Sequence, residues 1–178
     1  MASNKPQRRT YEESCRELQR LGWLANGDIP PLPERRPRYD GPEPLGVSFF
    51  RNRVSADKFE NLTLHRTFFG RSEVRDMSFK GSDLSESTLC WNDFVSVDFS
   101  DCDLSRSDLR AALFEYVNFS GANLSQSDLR RSDFNGCDFS GATLTGTKLT
   151  RSQRLRLTAE QTSEVDWQDS DGDEPEGG

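Results

Sequence analysis

The side chains best suited to catalysis or metal binding are sparse in this 178-residue sequence. It holds one histidine, His65, and four cysteines, Cys15, Cys90, Cys102 and Cys137. The cysteines have no CxxC spacing, and with His65 they form none of the Cys/His sets that bind zinc or activate a nucleophile. From their places in the repeat described below, we expect His65 and Cys90 to be exposed and Cys102 and Cys137 to be small core residues. The sequence therefore predicts no catalytic residues, no metal site and no cofactor.

The cysteines and the apolar runs also indicate a compartment. Scattered cysteines without a secretory signal are typical of reduced thiols. The stretch from Met1 to Glu13 has no apolar run of the kind found in signal peptides, and nowhere do about 18 apolar residues follow one another. We expect a soluble, cytoplasmic protein without membrane association.

A large apolar residue returns at every fifth position from Val54 to Leu149. The series is Val54, Phe59, Leu64, Phe69, Val74, Phe79, Leu84, Leu89, Phe94, Phe99, Leu104, Leu109, Phe114, Phe119, Leu124, Leu129, Phe134, Phe139, Leu144 and Leu149. If each of these is position i, then i−2 is mostly small, i−1 is often Asp or Asn, and i+2 is sometimes Gly. A step of five suits neither an α-helix nor a flat strand. The aspartates recur because the unit recurs, which favours a turn-bonded or solvated surface over an acid/base pair.

Reading every twentieth residue divides the series into four columns. Val54, Val74, Phe94, Phe114 and Phe134 form one column; the column of Phe59 is all Phe, that of Leu64 is all Leu, and that of Phe69 is mostly Leu. Like residues would stack on like inside a four-sided solenoid with twenty residues per coil, at a coil spacing of about 4.8 Å. The pattern therefore predicts a thin, regular core.

The repeat units resemble those of the pentapeptide repeat family. Ala122-Asn123-Leu124-Ser125-Gln126 and Cys137-Asp138-Phe139-Ser140-Gly141 are typical of that family, and the resemblance covers about residues 54–150. It implies an all-β fold, a right-handed quadrilateral β-helix, here with about five coils. Some members of the family protect type II topoisomerases by mimicking duplex DNA.

The flanking segments predict three regions: a helix and arm over 1–45, the β-helix over 46–157, and a cap and tail over 158–178. Thr10 and Glu13 have capping-box spacing and open a short N-terminal helix, with Gly22 at its end. The apolar stripe of this helix suits either its own chain or a partner groove. Thr158 opens a short C-terminal capping helix in the same way, and we expect disorder in residues 1–9 and after the cap.

Six prolines between residues 28 and 44 predict an extended arm. Its segment Pro30-Pro31-Leu32-Pro33-Glu34-Arg35 has the PxxPxR form that SH3-type grooves accept. The two interpretations, a stiff connector and a docking motif, both stay open, and the connector is favoured.

Four apolar residues break the polar pattern of the outer positions, and we call them the apolar patch: Trp91, Val95, Leu113 and Tyr116. They map to the Phe94 and Phe114 face or its corners, in adjacent coils. Arginines that could form a basic stripe on the neighbouring corner are Arg71, Arg110, Arg130, Arg131 and Arg151. Exposed aromatic residues beside arginines are typical of protein-binding hot spots. The alternative is that the N-terminal helix and arm fold back over the patch.

The distribution of charge separates the candidate functions. The net charge of −7 comes from residues 158–178, with eight acidic and no basic residues, whereas residues 46–157 carry fifteen of each sign. The favoured function is a non-enzymatic, rigid interaction module that binds an unidentified protein partner through the apolar patch, Arg110, Arg130 and Arg131. We expect a monomer, with a dimer as the alternative. The alternative is a DNA-mimicking protein that binds and protects a topoisomerase (gyrase), which requires an acidic rod. We do not expect nucleic acid binding, because the interleaved aspartates would repel phosphate.

Overall fold

The computed structural model describes residues 7–38, 46–153 and 155–169. Two helices and nine short strands follow one another along these residues. In order they are α1 (Tyr11–Arg20), β1 (Ser48–Phe50), β2 (Arg53–Ser55), β3 (Phe68–Gly70), β4 (Glu73–Arg75), β5 (Asp93–Val95), β6 (Leu113–Glu115), β7 (Asp133–Asn135), β8 (Lys148–Thr150), α2 (Ala159–Glu164) and β9 (Asp166–Gln168).

The strands stack into a β-solenoid of about six turns. β2, β4, β5, β6 and β7 form a five-stranded parallel sheet, in which each residue pairs with the residue twenty positions later, as Phe94 does with Phe114. Isolated parallel bridges with the same offset, such as Asp98 with Asn118, continue this register on other sides of the rod. The twenty-residue coil predicted from the sequence is therefore confirmed.

The repeating apolar residues fill the interior. All but Phe134 are buried, and the phenylalanine rings stack from coil to coil. The ring centroid of Phe119 lies 5.6 Å from that of Phe99 and 5.0 Å from that of Phe139. The hydroxyl groups at i−2 link coils as well: Ser82 Oγ accepts a hydrogen bond from the Leu62 amide (2.8 Å). The small i−2 side chain thus fits beneath the core and satisfies a buried amide.

The Asp and Asn side chains at i−1 accept hydrogen bonds from the backbone of the turns. Asp98 Oδ1 accepts a bond from the Ser100 amide at 2.8 Å, and Asn118 Oδ1 accepts one from Ser120 at 2.9 Å. Asn118 Nδ2 also lies 3.2 Å from Asp98 Oδ1 in the preceding coil. These acids and amides therefore have a structural role, as their recurrence predicted.

Helix α1 covers the N-terminal end of the solenoid. The predicted Thr10–Glu13 capping box is present, and the buried Cys15 and Leu18 face the core. Ser14 Oγ accepts a bond from the Thr63 amide at 2.8 Å, so α1 supplies the partner that a preceding coil would have supplied. The helix therefore packs on its own chain. The expectation of disorder before Thr10 is wrong for Arg9, whose amide donates to the Asn61 carbonyl at 2.9 Å, and residues 1–6 lie outside the described part.

The proline arm runs along the outside of the rod. Arg66 Nη1 donates to the Pro33 carbonyl (2.8 Å), and Arg36 Nη1 donates to the Arg106 carbonyl (3.0 Å). From Pro33 to Arg36 a polyproline-type chain advances about 9.3 Å, and from Arg66 to Arg106 the solenoid rises two coils, about 9.6 Å. The spacing of the two arm contacts therefore matches the spacing of the coils. The arm is therefore held on the chain's own solenoid, whereas Pro31, Leu32 and Arg35 of the PxxPxR segment are exposed. The rest of the arm, residues 39–45, lies outside the described residues.

Two glutamine side chains cap the C-terminal end of the solenoid, as α1 caps the N-terminal end. Gln153 Nε2 donates to the carbonyls of Leu129 and Ser132 at 2.7 and 2.8 Å. Gln161 Nε2, on α2, donates to the carbonyls of Phe139 and Ala142 at 2.7 and 3.0 Å. Each amide satisfies two carbonyls three residues apart that a further coil would have covered.

The chain after α2 returns to the solenoid. β9 pairs with β8 in parallel, so that Trp167 lies beside Leu149. The predicted capping helix is present, but the expectation of disorder immediately after it is wrong, because a strand follows. Residues 170–178, with most of the acidic tail, lie outside the described residues.

Candidate protein-binding surface

The apolar patch lies on the five-stranded sheet, within β5 and β6 and at their two corners. Trp91 and Tyr116 are 38% and 64% exposed, and Val95 and Leu113 are half-buried. Register places Leu113 beside Asp93 and Val95 beside Glu115. The structure thus brings the four predicted residues onto one face, in two adjacent coils.

The described part of the arm takes a path away from this patch. Its bonds are to Arg66, Thr88 and Arg106, beside the columns of Leu64 and Phe69. Helix α1 contacts the end of the rod instead. The alternative in which helix and arm cover the patch therefore does not hold for residues 7–38.

The predicted basic stripe divides into two groups. Arg71, Arg131 and Arg151 lie on the corner column that includes Trp91, where Arg131 adjoins β7. Arg110 and Arg130 lie on the next face, where each holds its own aspartate in a two-pronged bond: Arg110 Nη2 to Asp108 at 2.7 Å and Arg130 Nη2 to Asp128 at 2.8 Å. Their side chains are only 17% and 16% exposed.

These ion pairs change the role of two predicted binding residues. The Asp108 carboxylate raises the pKa of the Arg110 guanidinium, and Asp128 does the same for Arg130. Because each charge is balanced within the chain, Arg110 and Arg130 present little net positive charge to a partner.

Two residues that sequence reasoning missed lie within the patch. Asp93 is exposed and Glu115 is half-buried, and each is the register neighbour of a patch residue. The signal was available in the sequence, since Asp93 and Glu115 occupy i−1 and i+1 in the same two coils. The surface is therefore apolar with acidic residues between the apolar ones.

Trp91 and Tyr116 occupy the corners of the coil, where the backbone is left-handed. Every i+2 position from Arg51 to Gly146 has positive φ, with 61° at Trp91 and 55° at Tyr116. This conformation costs a residue with a side chain about 1–2 kcal/mol, and glycine avoids most of that cost. Large aromatic residues at these corners are thus unfavourable for the backbone, and Tyr116, at 64% exposed, gains little burial in return.

Two expectations about chemically reactive side chains are wrong. Cys90 is fully buried, and burial raises the pKa of its thiol to about 12. The arm lies nearby, since Thr88 Oγ1 donates to the Pro37 carbonyl and Arg36 is close to the thiol. His65 is only half exposed, beside the Tyr11 ring at 6.2 Å, and its Nδ1 is buried without a partner among the described residues.

Cys102 is buried, as predicted, and Cys137 is half-buried. Among the residues that the structure describes, no three His, Cys, Asp or Glu side chains are grouped so that they could hold a metal ion. No helix in the same residues is long and apolar enough to cross a bilayer.

The five-residue repeat that forms the solenoid matches a known family. A family model for pentapeptide repeats matches eight copies, at residues 76–110 and 112–151. The repeat region belongs to the pentapeptide repeat family. No curated protein sequence matches this chain.

Solved pentapeptide repeat proteins are similar to this one in fold. A protein from the thylakoid lumen of Arabidopsis thaliana is 28% identical, over 63% of this chain and 72% of its own, with a TM-score of 0.44. Rfr23 from the cyanobacterium Cyanothece 51142 is 19% identical over 60% and 86%, with a TM-score of 0.37.

A third similar structure is QnrB1, a plasmid-mediated fluoroquinolone resistance protein. It is 21% identical over 57% of this chain, with a TM-score of 0.37. The match spans only 56% of the QnrB1 chain.

Proposed function

We propose that this pentapeptide repeat protein is a non-enzymatic interaction module that binds a protein partner through the apolar patch. The observation that carries the proposal is the exposure of Trp91 and Tyr116 at left-handed corners. Large, partly rigid aromatic side chains are the residues that contribute most to protein–protein binding. They are also a poor choice for those corners on grounds of stability alone.

The solenoid suits this role because it is stiff. Its hydrogen bonds run from coil to coil and its core rings stack continuously, so the patch is held in a fixed arrangement before a partner arrives. Of the arginines predicted to take part, Arg131 adjoins the patch at its corner. Arg110 and Arg130 contribute to the proposed surface as parts of a salt-bridged neighbouring face.

We further propose that the protein acts in the cytoplasm as a monomer. The four cysteines are unpaired in the structure, which favours a reducing compartment.

Nucleic acid is a poor ligand for the patch, because Asp93 and Glu115 would repel phosphate.

The alternative of a DNA-mimicking topoisomerase protector has less support. Residues 46–157 carry fifteen acidic and fifteen basic residues, and several of these form ion pairs with each other. A rod with this balance does not reproduce the uniform negative charge of duplex DNA. Inhibition of gyrase supercoiling by the purified protein, or its rescue from a quinolone, would favour this alternative.

Affinity capture from the native host tests the proposal. The full chain is compared with the double variant Trp91→Gly/Tyr116→Gly, which removes both rings and suits the left-handed corners. Ser96→Gly is the matched control, because Ser96 is an exposed residue with φ of 54° on the same face. We expect a protein that the parent and Ser96→Gly retain and the double variant loses. The same set of proteins from all three would contradict the proposal.

A further inference from the structure

The dimensions of the apolar patch restrict what can cover it. The patch occupies two adjacent coils, which together span about 10 Å along the rod. It reaches from the corner at Trp91, before β5, to the corner at Tyr116, after β6, so a ligand that contacts both rings crosses the face in the direction of the strands. An α-helix with its side chains is about 10–12 Å wide and would match this band when lying along the strands.

The hydrogen bonding of the sheet favours a helix over an extended segment. β5 and β6 are both paired on each side, with β4 and β7 as their outer neighbours. A partner on this face therefore meets side chains and finds no open strand edge to extend. A helix satisfies its own backbone groups, whereas an extended chain would leave its amides and carbonyls without partners against an apolar surface.

The charge of the face indicates the partner's charge. The five strands of the sheet carry two arginines, Arg53 and Arg75, and four carboxylates, Glu73, Asp93, Glu115 and Asp133. Both arginines lie against Glu73: Arg75 donates to it and Arg53 is 3.3 Å away. Arg71 and Arg131 lie outside β5 and β6, on the corner column of Trp91, so the acidic residues that favour basic side chains on a partner are those between the two corners, Asp93 and Glu115.

We propose that the partner presents one amphipathic α-helix, which lies along β5 and β6 with its apolar side chains between Trp91 and Tyr116. Its lysine or arginine side chains face Asp93 and Glu115. The inference rests on the proposed function and adds the class of ligand to it. The arrangement is an amphipathic helix bound against a flat sheet, and its anchors recur every three or four residues.

Site-specific photocrosslinking in host extract tests the proposed function and the helical partner separately. A p-benzoylphenylalanine at Asp133, an exposed β7 residue on the same face, should link to a protein, whereas one at Thr143, exposed on the Leu144 face, should not. We expect the linked peptide to have apolar residues at i, i+3 or i+4, and i+7, with basic residues between. No linked protein at Asp133 would overturn the proposed function and this inference. A linked segment without helical periodicity would overturn this inference alone.

A synthetic peptide of the linked segment then tests the contacts. We expect it to gain helical circular dichroism when the full chain is added. Its affinity should fall about tenfold or more with Trp91→Gly, and about tenfold with Asp93→Lys/Glu115→Lys. Replacing the basic residues of the peptide by glutamate should restore binding to the Asp93→Lys/Glu115→Lys protein. Binding without induced helicity, or binding that is indifferent to these charge reversals, would contradict the inference.

Discussion

The ring of Tyr116 lies directly over Gly136, the corner residue of the next coil. A Cβ atom added at Gly136 would come within 2.6 Å of Tyr116 Cδ1, a distance that real contacts do not allow. The glycine therefore makes room for an aromatic side chain that is itself 64% exposed. One side of the proposed binding surface depends on this pair.

Gly136→Ala should displace the Tyr116 ring and weaken partner binding. The new methyl group must push the ring aside, and alanine also strains a backbone with φ of 65°, at a cost of about 1 kcal/mol in the free energy of unfolding. Gly141→Ala is the control, because its φ is 66° but its nearest added contact is 3.9 Å away. Equal loss of binding in both variants would show that Tyr116 has no part in it.

Phe119→Ala should cost about 3–5 kcal/mol in the free energy of unfolding. Phe119 is fully buried, with rings on either side in its column and Phe114 edge-on at 5.4 Å, so its removal leaves a cavity. Denaturant unfolding followed by circular dichroism measures the change. Phe50→Ala, at a position that is 47% exposed, should cost less than about 1 kcal/mol. Unfolding of Phe119→Ala at the midpoint of the parent would contradict the assigned core.

Gln161→Leu should lower the free energy of unfolding by about 1–3 kcal/mol. The leucine fits a similar volume but leaves the carbonyls of Phe139 and Ala142 without the donor that Gln161 supplies. Hydrogen exchange should rise first in α2 and β9. Gln126→Leu, at an exposed corner, serves as the control; if both variants unfold alike, the glutamine does not act as a cap.

Releasing the proline arm should expose the Cys90 thiol. In Arg36→Ala/Thr88→Val the arm loses its bonds to the Arg106 carbonyl and to Thr88. The pKa of about 12 should fall as burial is lost, so more thiolate is present at pH 8 and labelling by a thiol reagent should rise about tenfold or more. Site-resolved mass spectrometry measures the rate, with Arg35→Ala as control. An unchanged rate at Cys90 would mean that the arm does not protect it.

The solenoid could be predicted because its repeat makes twenty copies of one local rule. The same coil is indicated by every apolar centre, every small i−2 residue and every corner. A unit that departs from the pattern therefore does not change the predicted fold. The prediction even held for the position of the apolar patch, since register alone places Trp91 and Tyr116 on one face.

The contacts between flanking segments and the rod could not be predicted in the same way. Cys90 looked exposed by its i+1 position, but it is buried, and the arm that passes beside it follows no repeat. The bonds of Gln153 and Gln161 to the last coil also lack a sequence signal, because they depend on which carbonyls that coil leaves open. Such contacts join residues far apart in sequence and occur once each.

The affinity of the captured partner for Trp91→Gly/Tyr116→Gly, measured beside the free energy of unfolding of the same variant, tests the central claim most directly. We predict that affinity falls at least about tenfold while the free energy of unfolding falls by no more than about 1 kcal/mol from that of the parent, because glycine suits both corners. Undiminished affinity in a folded double variant would show that the protein binds its partner elsewhere.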